Sequence, residues 1–276
     1  MRLDVFLSGK YNITRSLAQK YINLNYVYIN NKMANKNNIT IKERDIIHLK
    51  IPEINIEILW ENENFLIAFK PDNMSCARFF NTPKEEKVLN EEIAKHYSLA
   101  KGIKPNEYGL PHRLDKETSG LIILVKNDKY FEQILNLFYT QSIYKEYLAF
   151  YEKPNKNIKL KFSTFVCKFG YRHFSLFNHR CFCNRIKKKP MNLFLEEKKD
   201  KVYVNYSIQD TMAAKASTVL IKRKKYYYCY PITGKRHQIR VFLNSLNKSI
   251  VGDKLYGNKI HDKMMLFATG LAIPLH

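Results

Sequence analysis

The stretch Pro111–Asn127, PHRLDKETSGLIILVKN, sets a dense polar loop directly against an apolar run. The run LIILV at residues 121–125 falls far short of the ~18 apolar residues that a membrane helix needs. With Gly120 before it and Asn127 after it, it reads as a buried strand. His112, Arg113, Asp115, Lys116 and Glu117 are then projected from the end of a rigid element, where catalytic groups are commonly held. An ordinary charged turn before a strand has the same composition, so this loop alone does not identify a chemistry.

Downstream of this run, Phe131, Ile134, Leu135 and Phe138 recur at helical spacing and predict a helix from about Asp128 to Thr140 with one core-facing stripe. YKEYLAFY at residues 144–151 alternates and predicts a strand. Upstream, IEILW at 56–60 and NFLIAFK at 64–70 read as paired strands around the polar turn ENE. Strands and helices thus alternate from about residue 54 in a mixed α/β or α+β unit, with no repeat of fixed period.

Residues 1–51 read as a separate unit, with Pro52 in a linker. A short helix leads to a second over Arg15–Asn23, capped by Thr14 and burying Leu17, Ala18, Tyr21 and Ile22. Asn23 and Asn25 suit a left-handed exit, and Asn30 and Asn31 supply a turn between the strand YVYIN at 26–30 and a later one, IIHLKI at 46–51.

A second polar segment is TGKRHQIRVFLNSL at 233–246. It predicts a helix with Ile239, Phe242, Leu243 and Leu246 buried, and with Arg236 and Arg240, four apart, on the other side. Paired guanidinium groups suit phosphates or a carboxylate; a basic solvated face is the plain alternative.

The 276-residue chain carries 47 Lys and Arg against 25 Asp and Glu, a formal net charge of +22, which points to a polyanionic partner, although compositional drift also produces basic chains. Five cysteines, an odd number, do not form the framework of a small secreted domain and fit a reducing cytoplasm. Charges at Arg2 and Asp4 break any apolar leader, so neither a secretory signal nor a membrane span is expected. Residues 172–201 read as an exposed loop or hairpin in which Lys187, Lys188 and Lys189 either grip RNA or face solvent. His173, His179, Cys181 and Cys183 lie close together, but one residue between the cysteines is tighter than zinc sites use, and no metal is expected.

Taken together, HRLDKETSGLIILVKN resembles the signature of the RluA-type pseudouridine synthases, with the family's catalytic aspartate falling on Asp115. TGKRHQIRVFL and VGDKLYG (251–257) are similar to two further motifs, and KEYLAF (145–150) resembles the strand carrying the active-site tyrosine, here Tyr147. The N-terminal unit resembles the S-four RNA-binding domain through RLDVFL and its TRS helix opening. The resemblance implies an α+β fold: a small N-terminal α/β RNA-binding domain over 1–51, then a mixed, mainly antiparallel-sheet catalytic domain over 52–276. It also implies isomerisation of uridine, in which the bond from C1′ to N1 breaks and C1′ rejoins at C5 without cofactor, metal or nucleotide energy source.

By that resemblance Asp115 acts as an ionised carboxylate, as nucleophile or as base, and Arg240 pairs with it. Tyr147 stacks on the base, and Arg113 fills the gap left by the flipped uridine. His112, Ile239 and Arg236 complete the substrate-binding set, while Arg2, Arg15 and Lys20 contact RNA phosphates. The expected partner is structured RNA, most readily large-subunit ribosomal RNA, bound by a monomer with an affinity that falls steeply with salt. Departures from the pattern are Lys235, Arg236, Phe242, Phe267, Asp72, Asn73 and Asn25; asparagine tolerates the left-handed backbone that glycine supplies at the last two. Alternatives are a transfer RNA synthase and a non-catalytic ribosome-assembly factor. A two-carboxylate glycosidase is disfavoured because Glu117 lies too near Asp115 in sequence to be its partner.

Overall fold

The computed structural model describes residues 1–11, 13–50, 56–154, 163–167, 189–199, 201–205, 213–257 and 261–274. Pro52, Lys187, Lys188, His173, His179, Cys181 and Cys183 lie outside the described residues.

In the N-terminal part, helices α1 (Leu3–Tyr11) and α2 (Arg15–Asn23) pack on a three-stranded antiparallel sheet of β1 (Val27–Ile29), β2 (Lys32–Met33) and β3 (Ile47–Leu49), ordered β2-β1-β3. Thr14 caps α2, its Oγ1 accepting from the Leu17 N–H at 3.2 Å, and Leu17, Ala18, Tyr21 and Ile22 are buried as their spacing predicts. The left-handed exit falls on Asn25 (φ 63°), and the two-residue β1–β2 turn on Asn30 and Asn31 (φ 49° and 65°). A hairpin with positive φ at both central residues matches strand twist, which explains the paired asparagines. The Tyr21 hydroxyl donates to the His96 carbonyl at 3.1 Å, and Thr14 Oγ1 lies 2.9 Å from Ser98 Oγ, tying this part to the rest of the chain.

The rest is built on a ten-stranded sheet. Its strands are β4 (Ile58–Glu61), β5 (Phe65–Lys70), β6 (Ser119–Val125), β7 (Tyr144–Phe150), β8 (Ser163–Cys167), β9 (Met191–Lys198), β10 (Lys201–Asn205), β11 (Ala214–Lys222), β12 (Tyr226–Pro231) and β13 (Leu266–Pro274). The path runs β10-β9-β11-β12-β7-β13-β6-β5-β4, with β8 also on β13; among the described residues only the pairs β13–β6 and β13–β8 are parallel. The architecture is thus α+β around a mainly antiparallel sheet.

Strands β5 and β6 read as continuous apolar runs because both of their faces are covered. Leu66, Ala68, Ile122 and Leu124 point to a cluster with Leu89 and Ile93 of helix α3 (Leu89–Ala94), while Phe65, Ile67, Leu121 and Ile123 point to one with Phe131 and Ile134 of α4 (Asp128–Tyr139). Each of these leucine, isoleucine and phenylalanine side chains contributes ~1.5–3 kcal/mol of transfer free energy. A third cluster joins Ile239 and Leu243 of helix α5 (Gln238–Ser245) to Ala149, Cys229 and Leu266. Tyr147 packs against both the α3-side and the α5-side clusters, which places it where they meet.

Two expectations are corrected here. The helix after Thr233 starts only at Gln238, because His237 sits in the left-handed region (φ 51°); Arg236 therefore precedes the helix and does not share a helical face with Arg240. Leu246 caps the C-terminus and is 38% exposed instead of buried. Within 172–201, the described residues from Met191 form strand β9, paired with β10 through a turn at Lys199, so this end of the segment is a hairpin.

Gly120 shows how tightly the site-bearing strand is seated. It has φ 121°, and a Cβ there would strike the backbone of Ala268 on β13. Gly120→Ala is expected to destabilise the fold by about 2 kcal/mol or more, read as a lower urea midpoint; an unchanged midpoint would count against this close strand approach.

Candidate active site

Asp115 lies at the tip of the loop that feeds β6, in a cleft of about 1420 Å³ lined also by His112, Tyr147, His237, Arg240 and Lys145. The loop is held from several directions. The Thr118 N–H donates to the Asp115 carbonyl at 3.0 Å. Cys76 brackets Leu114, its Sγ lying 3.3 Å from both the N–H and the carbonyl of that residue. Lys70, fully buried, donates from Nζ to the carbonyls of Pro71, Met74 and Lys116 at 2.8, 2.8 and 2.9 Å. Burial pushes this lysine down to about 8, offset in part by Cys76 and Asp115. Asn73, in the turn that Lys70 gathers in, takes φ 57°, the conformation inferred for asparagine in a glycine's place.

Three carbonyls thus depend on one ammonium. Lys70→Met would leave them unsatisfied, and stranding even one buried acceptor costs ~1–3 kcal/mol. We expect a loss of about 2 kcal/mol or more in urea unfolding, together with slower turnover as the Asp115 loop loosens. Unchanged stability and rate would sink the clamp reading.

Arg240 is the electrostatic centre. It is only 2% exposed, and it meets Asp253 in a fork, with Nε and Nη2 each 2.8 Å from a different carboxylate oxygen. Its Nη1 reaches Glu117 Oε2 at 3.3 Å and Asp115 Oδ2 at 3.7 Å. Burial would lower the arginine and raise the aspartate, but their mutual bonds win in both cases: Arg240 is pushed further up and Asp253 is held below the usual carboxylate range. The N–H groups of Leu255 and Tyr256 donate to Asp253 Oδ1 at 3.0 and 3.1 Å, fixing the far side of the pair. The ring of Tyr256 lies 5.2 Å from the Arg240 guanidinium, and its hydroxyl is 2.8 Å from His237 Nδ1.

Tyr147 faces the cleft from β7. Burial, then the charges of Asp115 and Cys76, push its hydroxyl well above the ordinary tyrosine value, so the phenol stays protonated. His112 is pushed down to about 3 by burial and by Lys145. It is therefore neutral, with Nε2 accepting from the Ile123 N–H at 3.2 Å and its ring stacked on Phe138 at 4.4 Å. The geometry makes it a brace between the loop and β6.

Arg113 projects at the rim, 2.9 Å from Glu107 and 5.3 Å from the Phe79 ring centroid. Ile239 is buried in the α5 cluster beside Tyr147 and also lines the cleft. Arg236 stands at the cleft edge in an ion pair with Glu197. Arg2, Arg15 and Lys20 lie on the N-terminal part, away from this cleft. Arg2 Nε and Arg15 Nε bond the buried Asp4 at 3.1 and 2.9 Å, with Gln19 as a third donor at 2.8 Å. Burial would raise Asp4, but these bonds more than offset it and hold it far below the usual range. Both arginines remain half exposed, whereas Lys20 lies 5.7 Å from the Tyr108 ring, facing the larger unit.

Sequence reasoning did not single out Asp253, His237, Lys70 or Lys145, and it set Glu117 aside. The available signal for Asp253 was its place in VGDKLYG.

The sequence profile of the RNA pseudouridylate synthase family matches residues 64–245, and that of the S4 domain matches residues 1–47. An uncharacterized RNA pseudouridine synthase of Helicobacter pylori is 28% identical over 268 residues, covering 93% of this chain and 75% of the relative. A ribosomal large subunit pseudouridine synthase D of Blochmanniella floridana is 30% identical over 230 residues, covering 82% of this chain and 60% of the relative. Among solved structures, human RNA pseudouridylate synthase domain containing 1 superposes with a TM-score of 0.52 at 17% identity, covering 78% of this chain and 77% of the other. That likeness speaks for the fold.

Proposed function

The chain belongs to the RNA pseudouridylate synthase family, and from that premise we propose that it isomerises uridine in large-subunit ribosomal RNA, with Asp115 as the reacting carboxylate. The observation that carries the assignment is the position of Asp115: exposed enough in the cleft to meet a nucleotide, yet held 3.7 Å from the buried Arg240 guanidinium. Either available first step, attack at C1′ or removal of a sugar proton, begins from that anion.

Arg240 orients Asp115, and Asp253 fixes Arg240. Tyr147, kept protonated, stacks on the uracil and does not start as a base. Arg113, poised at the rim on Phe79, takes the space of the flipped uridine, offsetting a cost of a few kcal/mol. Residues 1–51 contribute phosphate contacts through the outward faces of Arg2 and Arg15, and residues 52–276 carry the chemistry. Ribosomal RNA is favoured over transfer RNA by the name of the Blochmanniella floridana relative. Among the described residues no helix is long and apolar enough to cross a membrane; the proposed setting is the cytoplasm, where the RNA is.

The test is to map pseudouridine in unmodified ribosomal and transfer RNA after incubation with the purified protein. New pseudouridine in the large-subunit RNA supports the proposal, modification of transfer RNA alone redirects the substrate, and no modification in an RNA that the protein binds refutes it.

A further inference from the structure

Most cations lining the cleft are already engaged. Arg113 meets Glu107, Lys116 meets Glu86, Arg236 meets Glu197, Arg240 meets Asp253 and Lys263 meets Asp72. Lys235 and Lys254 stand in solvent. Lys145 differs from all of these. It is partly buried, it lines the cleft, and its ammonium makes a single long hydrogen bond, 3.3 Å to the Thr233 carbonyl, with no carboxylate beside it among the described residues. Withdrawing a charge from water without a counter-charge is unfavourable; burial accordingly pushes this lysine down to about 8. A neutral side chain would suit the fold better.

We propose that the Lys145 ammonium binds a backbone phosphate of the RNA strand carrying the target uridine, one strand step along β7 from Tyr147. This rests on the reading of the cleft as the uridine site. Lys145 and Tyr147 are two residues apart on one strand and share a face, which sets them roughly 7 Å apart. A base stacked on the tyrosine thus leaves its own backbone within reach of the lysine. The neighbouring turn is open: a Cβ added at Gly234 would lie 3.9 Å from Lys145 Nζ, so no side chain covers the ammonium there. A carbonyl already supplies the neutral acceptor; what the site lacks is a full negative charge, and a phosphodiester brings one.

The experiment measures binding of an unmodified large-subunit ribosomal RNA transcript across a salt series for the wild type, Lys145→Met and Lys145→Arg, with steady-state kinetics and thermal melting alongside. Each phosphate contact adds ~0.7–0.9 to the slope of log affinity against log salt. Lys145→Met is expected to lose about one such contact, to raise KM roughly tenfold, and to melt no lower than the wild type; Lys145→Arg keeps the slope. A Lys145→Met protein with the wild-type slope overturns the proposal, since a contact to a neutral base edge releases no counterion. So does a weakened protein that melts lower and is not rescued by arginine. Absence of pseudouridine with the wild type would remove the functional reading instead, because the slopes need binding alone.

Discussion

Replacing Asp115 with asparagine is expected to lower the single-turnover rate of pseudouridine formation by at least about a thousandfold while leaving RNA affinity and melting temperature near wild type. The side chain is nearly isosteric, and Asp115 lies at the loose end of the Arg240 cluster, 3.7 Å from Nη1, while the 2.8 Å bonds go to Asp253. The fold therefore does not depend on its charge, but the proposed reaction does: an amide can neither attack C1′ nor take a sugar proton. Single-turnover rates and filter binding on the same RNA separate the two effects. A rate within tenfold of wild type would mean that another group carries the chemistry, and Glu117, the second exposed carboxylate on Arg240, would be the first to try.

The second large effect concerns Arg240. Arg240→Met strands Asp253, whose side chain is wholly buried, with only the backbone donors of Leu255 and Tyr256. Removing one partner of a buried pair typically costs ~3–5 kcal/mol, and we expect that loss together with the loss of activity. Replacing both partners, as Arg240→Met with Asp253→Leu, is expected to recover most of the stability and none of the turnover, since no guanidinium then faces Asp115. Recovery of activity in the double variant would refute the orienting role. The pair also sets an acid limit. Asp253 is depressed in the folded state, so its stabilisation is fully present above the unfolded value of ~3.9 and drains away as pH falls from there through the folded pKa. The wild type should lose stability in that window, and the double variant should lose less.

What the sequence disclosed and what it withheld divide along the range of the interactions. Strand β6 and the loop before it were legible because a polar run, Gly120 and an apolar run follow one another directly, and α2 because its cap and stripe are local. The start of α5 was not, since the left-handed His237 is tied to Tyr256, nineteen positions away. Periodicity put Arg236 and Arg240 on one helical face, suited to phosphates or a carboxylate; the carboxylates are there for Arg240, in Asp253 and Glu117, while Glu197 holds Arg236 at the cleft edge ahead of the helix. Glu117 was dismissed for lying two residues from Asp115; in space that adjacency lets both carboxylates reach one guanidinium. Lys145 shared a strand face with Tyr147 in plain view, yet its want of a counter-charge exists only after folding.

Isomerisation of uridine through Asp115, as we propose it, moves C1′ to C5 and must displace the hydrogen on C5. The most direct test follows tritium release from RNA labelled at uridine C5, using the wild type and Asp115→Asn. Release by the wild type in step with new pseudouridine, and none by the variant, is the predicted result; no release by the wild type from an RNA it binds, or equal release by both, would contradict it.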